Sequence, residues 1–359
     1  MISVVNKYIK RFQQTCGLAM RSFFYTPHLH KSAGTFLLLF FFIACSSEKK
    51  FVSIEGKTMG TYYRVQLYSS ESKEKLKADI DKFLRLFNQV FSTYIEDSEV
   101  SKINKHKFDQ IKISDSMKKL IELSQNISRK SYGYYDPTVA PLVNLWGFGP
   151  HKVKSAPEKR VIEQAIKKVG FNKLEVKDDR LYYLKGMELD FSAIAKGYGV
   201  DELVKFLEYQ GYANLLVEIG GELRARGHKA DQTTWKVGIE GPNESLGASI
   251  IKVVPLKNKS MATSGSYRNY LKYGDKVFSH TIDPHTGMPV EHKTISVSVV
   301  HDYCADADAW ATALMSMGAE KGLDIADKNG LAVFFQVKEG DKIVYKASSY
   351  FDKYLKTSQ

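Results

Sequence analysis

The sequence predicts an α+β protein built as one compact unit. Helix-period and strand-like segments follow one another with no Pro/Gly/Ser-rich linker inside residues 53–353. No internal repeat interrupts them. With 359 residues, 43% hydrophobic and 26% charged, the composition is that of a globular chain. It excludes disorder, a collagen-like repeat and a multi-pass membrane protein.

The N-terminus reads as an address rather than as part of the fold. Residues 1–44 hold five basic residues (Lys7, Lys10, Arg11, Arg21, Lys31) and no acidic one. A run of nine apolar residues, 36–44, follows; it is too short for the roughly 20 residues that span a bilayer. A basic segment, an apolar core and a small residue before a break make a secretory signal. Met20, followed by Arg21 and Lys31, is an alternative start that shortens an unusually long leading segment. Ile43-Ala44-Cys45 resembles a bacterial lipobox, with Phe42 where leucine is usual. On that reading 1–44 is a cleaved signal peptide, Cys45 is diacylated, 45–52 is a lipidated tether and 53–359 is the working domain. Dual acylation holds a protein at a membrane, so the domain is expected at the cell membrane facing the periplasm. A plain cleaved signal with a free cysteine is the simpler alternative.

In chain order, 61–67 has strand composition, with Tyr63, Val65 and Leu67 on one face. Leu76, Ile80, Phe83, Leu84, Phe87, Val90 and Phe91 fall at helical spacing and predict a helix over 74–91. A second starts near Ser114. Pro137, Pro141 and the run 146–150 mark a long irregular loop. Residues 196–208 are helical again. Strand-like runs follow at 215–219, 235–239, 250–254, 295–300 and 331–337, with a small-residue helix over 307–317 between the last two.

The net charge is +12 and falls to +7 once residues 1–44 are removed. That balance suits an anionic ligand, but it lacks the basic cluster of a nucleic-acid binder, so no nucleic acid is expected as partner. Three cysteines cannot form a disulfide framework. There is no G-x-G-x-x-G after a strand, no P-loop, no H-E-x-x-H and no C-x-x-C.

What remains is a set of small-residue turns that each carry a charged or hydroxyl residue. Asp190 and Lys196 bracket the start of a helix, whose free amides and dipole suit phosphate. They also read as an N-cap and a solvent-facing lysine. Gly220-Gly221-Glu222 ends a strand, where backbone approaches a ligand closely or simply turns a hairpin. Asp308 and Thr312, at i and i+4, share a helix face. A carboxylate and a hydroxyl there are hard oxygen ligands suited to Mg²⁺, or a capping aspartate and a back-bonded threonine. His280 and His285 lie on one turn without cysteines to complete a zinc site. A histidine beside phosphate chemistry can serve as general base. Cys304 reads as a buried small hydrophobe. Tyr94, Tyr134 and Tyr135 lie in or near loops and can stack on a planar ring.

Together these pieces resemble a family. Met59-Gly60-Thr61, Ser92-Thr93-Tyr94, the stretch 141–149 from Pro141 to Gly149, Ala193-Ile194-Ala195-Lys196-Gly197, Ser264-Gly265-Ser266-Tyr267-Arg268, His280-Thr281-Ile282-Asp283-Pro284 and the Asp308/Thr312 pair occur in the order seen in the ApbE family. These are FAD:protein FMN transferases. The resemblance implies a single unit of mixed and antiparallel sheets with packed helices. It also implies a Mg²⁺-dependent enzyme that splits FAD at its pyrophosphate, joins FMN through a phosphoester to a threonine or serine, and releases AMP. The acceptors it implies are flavoproteins with a D-x-x-[ST]-G-A-[ST] site, such as subunits of Na⁺-pumping quinone reductase or Rnf-like complexes.

Carried over residue by residue, the flavin contacts fall on Met59, Tyr94, Tyr134, Tyr135, Asp136, Asp190, Lys196 and Ile282. The metal ligands fall on the Ala193 carbonyl, Asp308 and Thr312, and His280 is the candidate base for the acceptor hydroxyl. Some members carry threonine in place of Ala193 and aspartate in place of Ala311. Two other outcomes stay open on the sequence. One is a Mg²⁺-dependent FAD pyrophosphatase that gives FMN and AMP. The other is a non-catalytic flavin-binding lipoprotein, for which Asp308, Thr312 and His280 have no use.

Overall fold

A computed structural model describes residues 48–105, 109–150, 153–242, 249–265, 270–274 and 276–358. The expected signal peptide, Met20 and Cys45 lie outside these residues, as do Ser266, Tyr267 and Arg268.

The frame is an eight-stranded sheet. Strands β1 (Lys50–Thr58) and β2 (Thr61–Ser69) form a hairpin at its edge. After the short three-stranded sheet of β3 (Gln110–Lys112), β4 (Glu175–Lys177) and β5 (Arg180–Tyr182), the chain returns as β6 (Leu215–Ile219) and β7 (Glu222–Arg226). A ribbon of β8 (Trp235–Glu240) and β9 (Ile250–Leu256) precedes β10 (Ser260–Gly265), and a second ribbon, β11 (Tyr270–Tyr273) and β12 (Lys276–Ser279), follows it. Strands β13 (Thr294–His301), β14 (Ala332–Glu339) and β15 (Lys342–Ala347) complete the main sheet in the order β1-β2-β6-β7-β10-β13-β14-β15. Every ladder within it is antiparallel.

Period-two alternation decides which side each residue serves. Val333, Phe335 and Val337 on β14 face a core shared with helices, whereas Ala332 and Phe334 face the opposite side. Helices α1 (Lys73–Phe91), α2 (Glu99–Lys105), α3 (Asp115–Lys130), α4 (Ala140–Trp146), α5 (Lys159–Ile166), α6 (Ala195–Tyr209), α7 (Cys304–Met317) and α8 (Ala319–Lys328) precede the C-terminal α9 (Ser349–Thr357). Through α1, α6 and α7 the helical layer buries one face of the sheet. The β8–β9 ribbon and α9 cover the other, with Trp235, Ile239, Val254 and Phe351 on Phe334.

The expected strand face of Tyr63, Val65 and Leu67 is wholly buried, and Ser114 caps α3 by accepting from the Met117 amide at 3.2 Å. Two expectations need correction. The stretch around Pro137–Pro150 is not irregular throughout, because α4 occupies its middle, with proline in the first turn where no amide is needed. The tether over 45–52 overlaps β1, which starts at Lys50 because its backbone pairs with β2 from Lys50↔Ser69 onwards. Helices α2, α5, α8 and α9 are not expected from the sequence. No helix among the described residues is long and apolar enough to cross a membrane.

Candidate active site

Helices α6 and α7 cross closely enough that a side chain at Gly197 does not fit. A Cβ there would stand 2.3 Å from the Cys304 carbonyl oxygen and 2.8 Å from Asp308 Cβ. The alanine-rich α7 is buried through Ala305, Ala307, Ala309, Ala311 and Ala313, and its N-terminus is capped from the neighbouring helix. Asp201 of α6 accepts from the Cys304 and Ala305 amides at 3.0 and 2.9 Å while paired with Arg224. These contacts fix where Asp308 and Thr312 stand relative to the first turn of α6.

That first turn is where the charge gathers. Asp308 Oδ2 accepts from the Gly197 amide at 2.9 Å. That amide belongs to the first turn of α6, whose N–H groups have no partner within the helix and need one from outside. Lys196 Nζ lies 3.4 Å from Glu222 Oε1 and 3.8 Å from Asp308 Oδ1. Burial works against the lysine's charge, but Asp308 and Glu222 more than offset it and hold the ammonium above the ordinary lysine range. Burial pushes the Glu222 carboxyl up to about 8, against the pull of Lys196 and with Asp308 adding to the rise. Glu222 Oε2 is buried without a hydrogen-bond partner. One turn beyond Asp308, Thr312 Oγ1 lies 3.2 Å from Ser264 Oγ on β10.

The groups placed here, Asp308 and Thr312 one turn apart on α7, are hard-oxygen donors of the kind that Mg²⁺ takes. Among the described residues no group of three or more His, Cys, Asp or Glu could hold a metal. A cation here would therefore keep most positions for water and phosphate oxygen, which is how Mg²⁺ is commonly bound. Asp308 is buried, at 3% exposure. Burial also pushes the Cys304 thiol well up, as befits an inert core residue.

Asp190 stands just before this turn. Its Oδ1 accepts from the Ser192 amide at 2.7 Å, and its own amide donates to the Pro137 carbonyl, tying the segment to the loop ahead of α4. Tyr94 is largely open to solvent, yet partial burial of its phenol, with the Asp190 charge adding, raises it above the ordinary tyrosine range. Met59, at the left-handed corner between β1 and β2 (φ 50°), directs its methyl toward Gly199 of α6. A Cβ at Gly199 would fall 2.8 Å from it.

A second group lies on the turn after β12. His280 faces the Phe148 ring edge-on, with centroids 6.4 Å apart. Ile282 is buried with Leu142, Trp146 and Ile162 and bridges to Pro289. Tyr134 accepts from Lys321 Nζ at 2.8 Å and packs on His285. Tyr135 and Asp136 are buried with their side chains committed inside the fold. The Tyr135 hydroxyl donates to Ser124 Oγ, and the Asp136 carboxylate accepts from Thr138 and from the Phe171 amide. Neither side chain is free to meet a ligand.

Glu222 and Ser264 enter the site without having been singled out for it. Their motifs were visible, but a strand-end glutamate carries no sign in the sequence that it faces a lysine on a helix.

The ApbE family profile matches residues 59–335. A Haemophilus influenzae FAD:protein FMN transferase is 37% identical over 328 residues, covering 88% of this chain and 95% of the relative. The Escherichia coli K12 protein of the same name is 36% identical, with 84% and 88% covered. Among solved structures, the apo form of Pseudomonas stutzeri flavinyl transferase ApbE superposes with a TM-score of 0.79 at 36% identity, covering 86% of this chain and 98% of that one. The Vibrio cholerae flavin transferase ApbE gives 0.78 at 33%, covering 86% and 100%.

Proposed function

The chain belongs to the ApbE family, and on that premise we propose that it moves FMN from FAD onto a threonine or serine hydroxyl of an acceptor flavoprotein, releasing AMP. It is a transferase, as its relatives are. The observation that carries the reading is the joint placement of Lys196, Glu222 and Asp308 at the first turn of α6. Phosphoryl transfer asks a protein for positioning and charge neutralisation more than for covalent help.

Asp308, Thr312 and the Ala193 carbonyl would hold Mg²⁺, which supplies charge neutralisation at the pyrophosphate when bound. Lys196 adds a second positive charge where negative charge develops on the leaving phosphate. Asp190 orients a hydrogen-bond donor of the flavin. Met59, Tyr94, Tyr134 and Ile282 shape the flavin site, with the backbone at 135 and 136. His280 takes the proton of the acceptor hydroxyl. Acceptors carry a D-x-x-[ST]-G-A-[ST] site, as in Na⁺-pumping quinone reductase or Rnf-like subunits.

The test is incubation with FAD, Mg²⁺ and such an acceptor, followed by intact mass of both proteins. Gain of one FMN phosphoester on the acceptor, with AMP in solution, is expected. FMN and AMP without a mass change would make the protein a pyrophosphatase, and intact FAD would make it a flavin carrier.

The site is proposed to work from a lipid anchor on Cys45, facing the periplasm, as Ile43-Ala44-Cys45 suggests. Cys45→Ala should lose lipid labelling and move to the soluble fraction. A variant that stays membrane-bound after a salt wash overturns the anchor.

A further inference from the structure

One side chain ties the turn after His280 to the loop that carries Tyr134. His285 Nδ1 lies 2.9 Å from Asp283 Oδ1, and Nε2 lies 3.0 Å from the backbone oxygen of Tyr132. The His285 ring packs on Tyr134 with centroids 4.5 Å apart. Gly133 permits this approach, being left-handed (φ +81°) and so close that a Cβ would stand 3.3 Å from Nε2. Lys321 Nζ also sits 4.3 Å from the Tyr134 ring centroid. The turn itself is held from behind: Trp146 Nε1 donates to the Gly287 carbonyl at 2.8 Å, and the Asp283 and Gly287 amides close it internally.

Both partners of the imidazole, a carboxylate and a peptide carbonyl, can only accept. A neutral ring has one N–H and leaves its other nitrogen lone pair facing an oxygen. Only a ring protonated on both nitrogens satisfies the two contacts together.

We propose that His285 is a positioning residue for the flavin site: as an imidazolium it clamps the turn 281–290 to the loop 132–134, and so fixes Ile282 and Tyr134 relative to each other. The inference rests on the flavin reading given above. The charged and titratable groups around the ring are Asp283 on its own turn, Tyr132 and Tyr134 on the loop, Lys321 at the Tyr134 ring, and Asp136 behind Phe171. Because both ring protons are part of the clamp, it is complete while the ring carries them and is lost when either leaves.

The experiment measures FAD affinity with Mg²⁺ from about pH 5.5 to about pH 8, the interval in which imidazole changes charge. The native protein should weaken about tenfold across it, the scale of one lost charge-assisted hydrogen bond. His285→Arg keeps the charge and two donors and should lose this slope while staying tight. His285→Ala should be weak throughout and also lose it. Glu222, pushed up to about 8, titrates in the same window but contributes equally to all three proteins, so the comparison cancels it. Equal slopes in the native protein and His285→Ala overturn the clamp. Nitrogen-15 NMR of the ring in the flavin-free protein gives an independent readout, with two protonated nitrogens expected on the acid side of the window and a single N–H there overturning it. If no variant binds FAD at any pH, the flavin reading fails, and ring protonation alone decides the clamp.

Discussion

Asp308→Asn should abolish Mg²⁺-dependent cleavage of FAD, with at least about a 100-fold loss, while leaving the fold intact. The size follows from losing the one carboxylate among the three groups proposed to hold the metal. A metal contributes several kcal/mol of charge stabilisation, and each 1.4 kcal/mol is about tenfold in rate. The choice of asparagine follows from burial. Asp308 is 3% exposed and satisfies the Gly197 amide. Asp308→Ala leaves that buried N–H unpaired, at a cost of about 1–3 kcal/mol, and mixes a folding defect into the result. Asparagine keeps an acceptor oxygen and removes only the charge. EDTA should reproduce the loss in the native protein, and thermal unfolding should place Asp308→Asn closer to the native protein than Asp308→Ala. Full turnover in EDTA, or in a folded Asp308→Asn, would show that this carboxylate serves only to pin α6 to α7.

The two functions of Asp308 mark the boundary of what the chain reveals before folding. Its i, i+4 relation to Thr312 is a local fact and was legible, as was the helix that carries both. The Gly197 contact is not local, since it spans 111 residues and depends on two helices approaching until only glycine fits. The same division holds elsewhere. Strand faces such as Tyr63, Val65 and Leu67 were readable because period-two alternation is written along the chain. Helix α4 was hidden by the prolines and glycines around it, although Pro141 stands at the one end of a helix where proline is at home. The commitment of Asp136 to Thr138 and Phe171 escaped for the same reason as the Lys196–Glu222 pair. A carboxylate looks identical in sequence whether it meets a ligand or a backbone amide. Order along the chain compensated, because seven weak motifs in sequence identified a family that no single one could.

His280→Ala should bind FAD with Mg²⁺ as the native protein does and transfer FMN at least about 100-fold more slowly. A general base contributes on the order of 10²–10⁴ in rate, and it does so at the acceptor hydroxyl rather than at the bound flavin. Its removal is therefore expected in the single-turnover rate and not in affinity. The competing account makes His280 a shaping residue. It packs edge-on against Phe148 and opens the turn that leads to Ile282, so its loss would disturb flavin binding and transfer together. His280→Gln retains most of the bulk and a hydrogen-bonding end without an imidazole's basicity, and it separates the two accounts. A shaping role predicts that glutamine restores both affinity and rate. A base predicts that glutamine restores neither rate nor pH response, because what is missing is a proton acceptor. Measuring FAD affinity and single-turnover transfer on both variants decides the matter. Transfer at the native rate in His280→Ala would remove the base from the mechanism and leave activation of the hydroxyl to the charge gathered around Asp308 and Lys196.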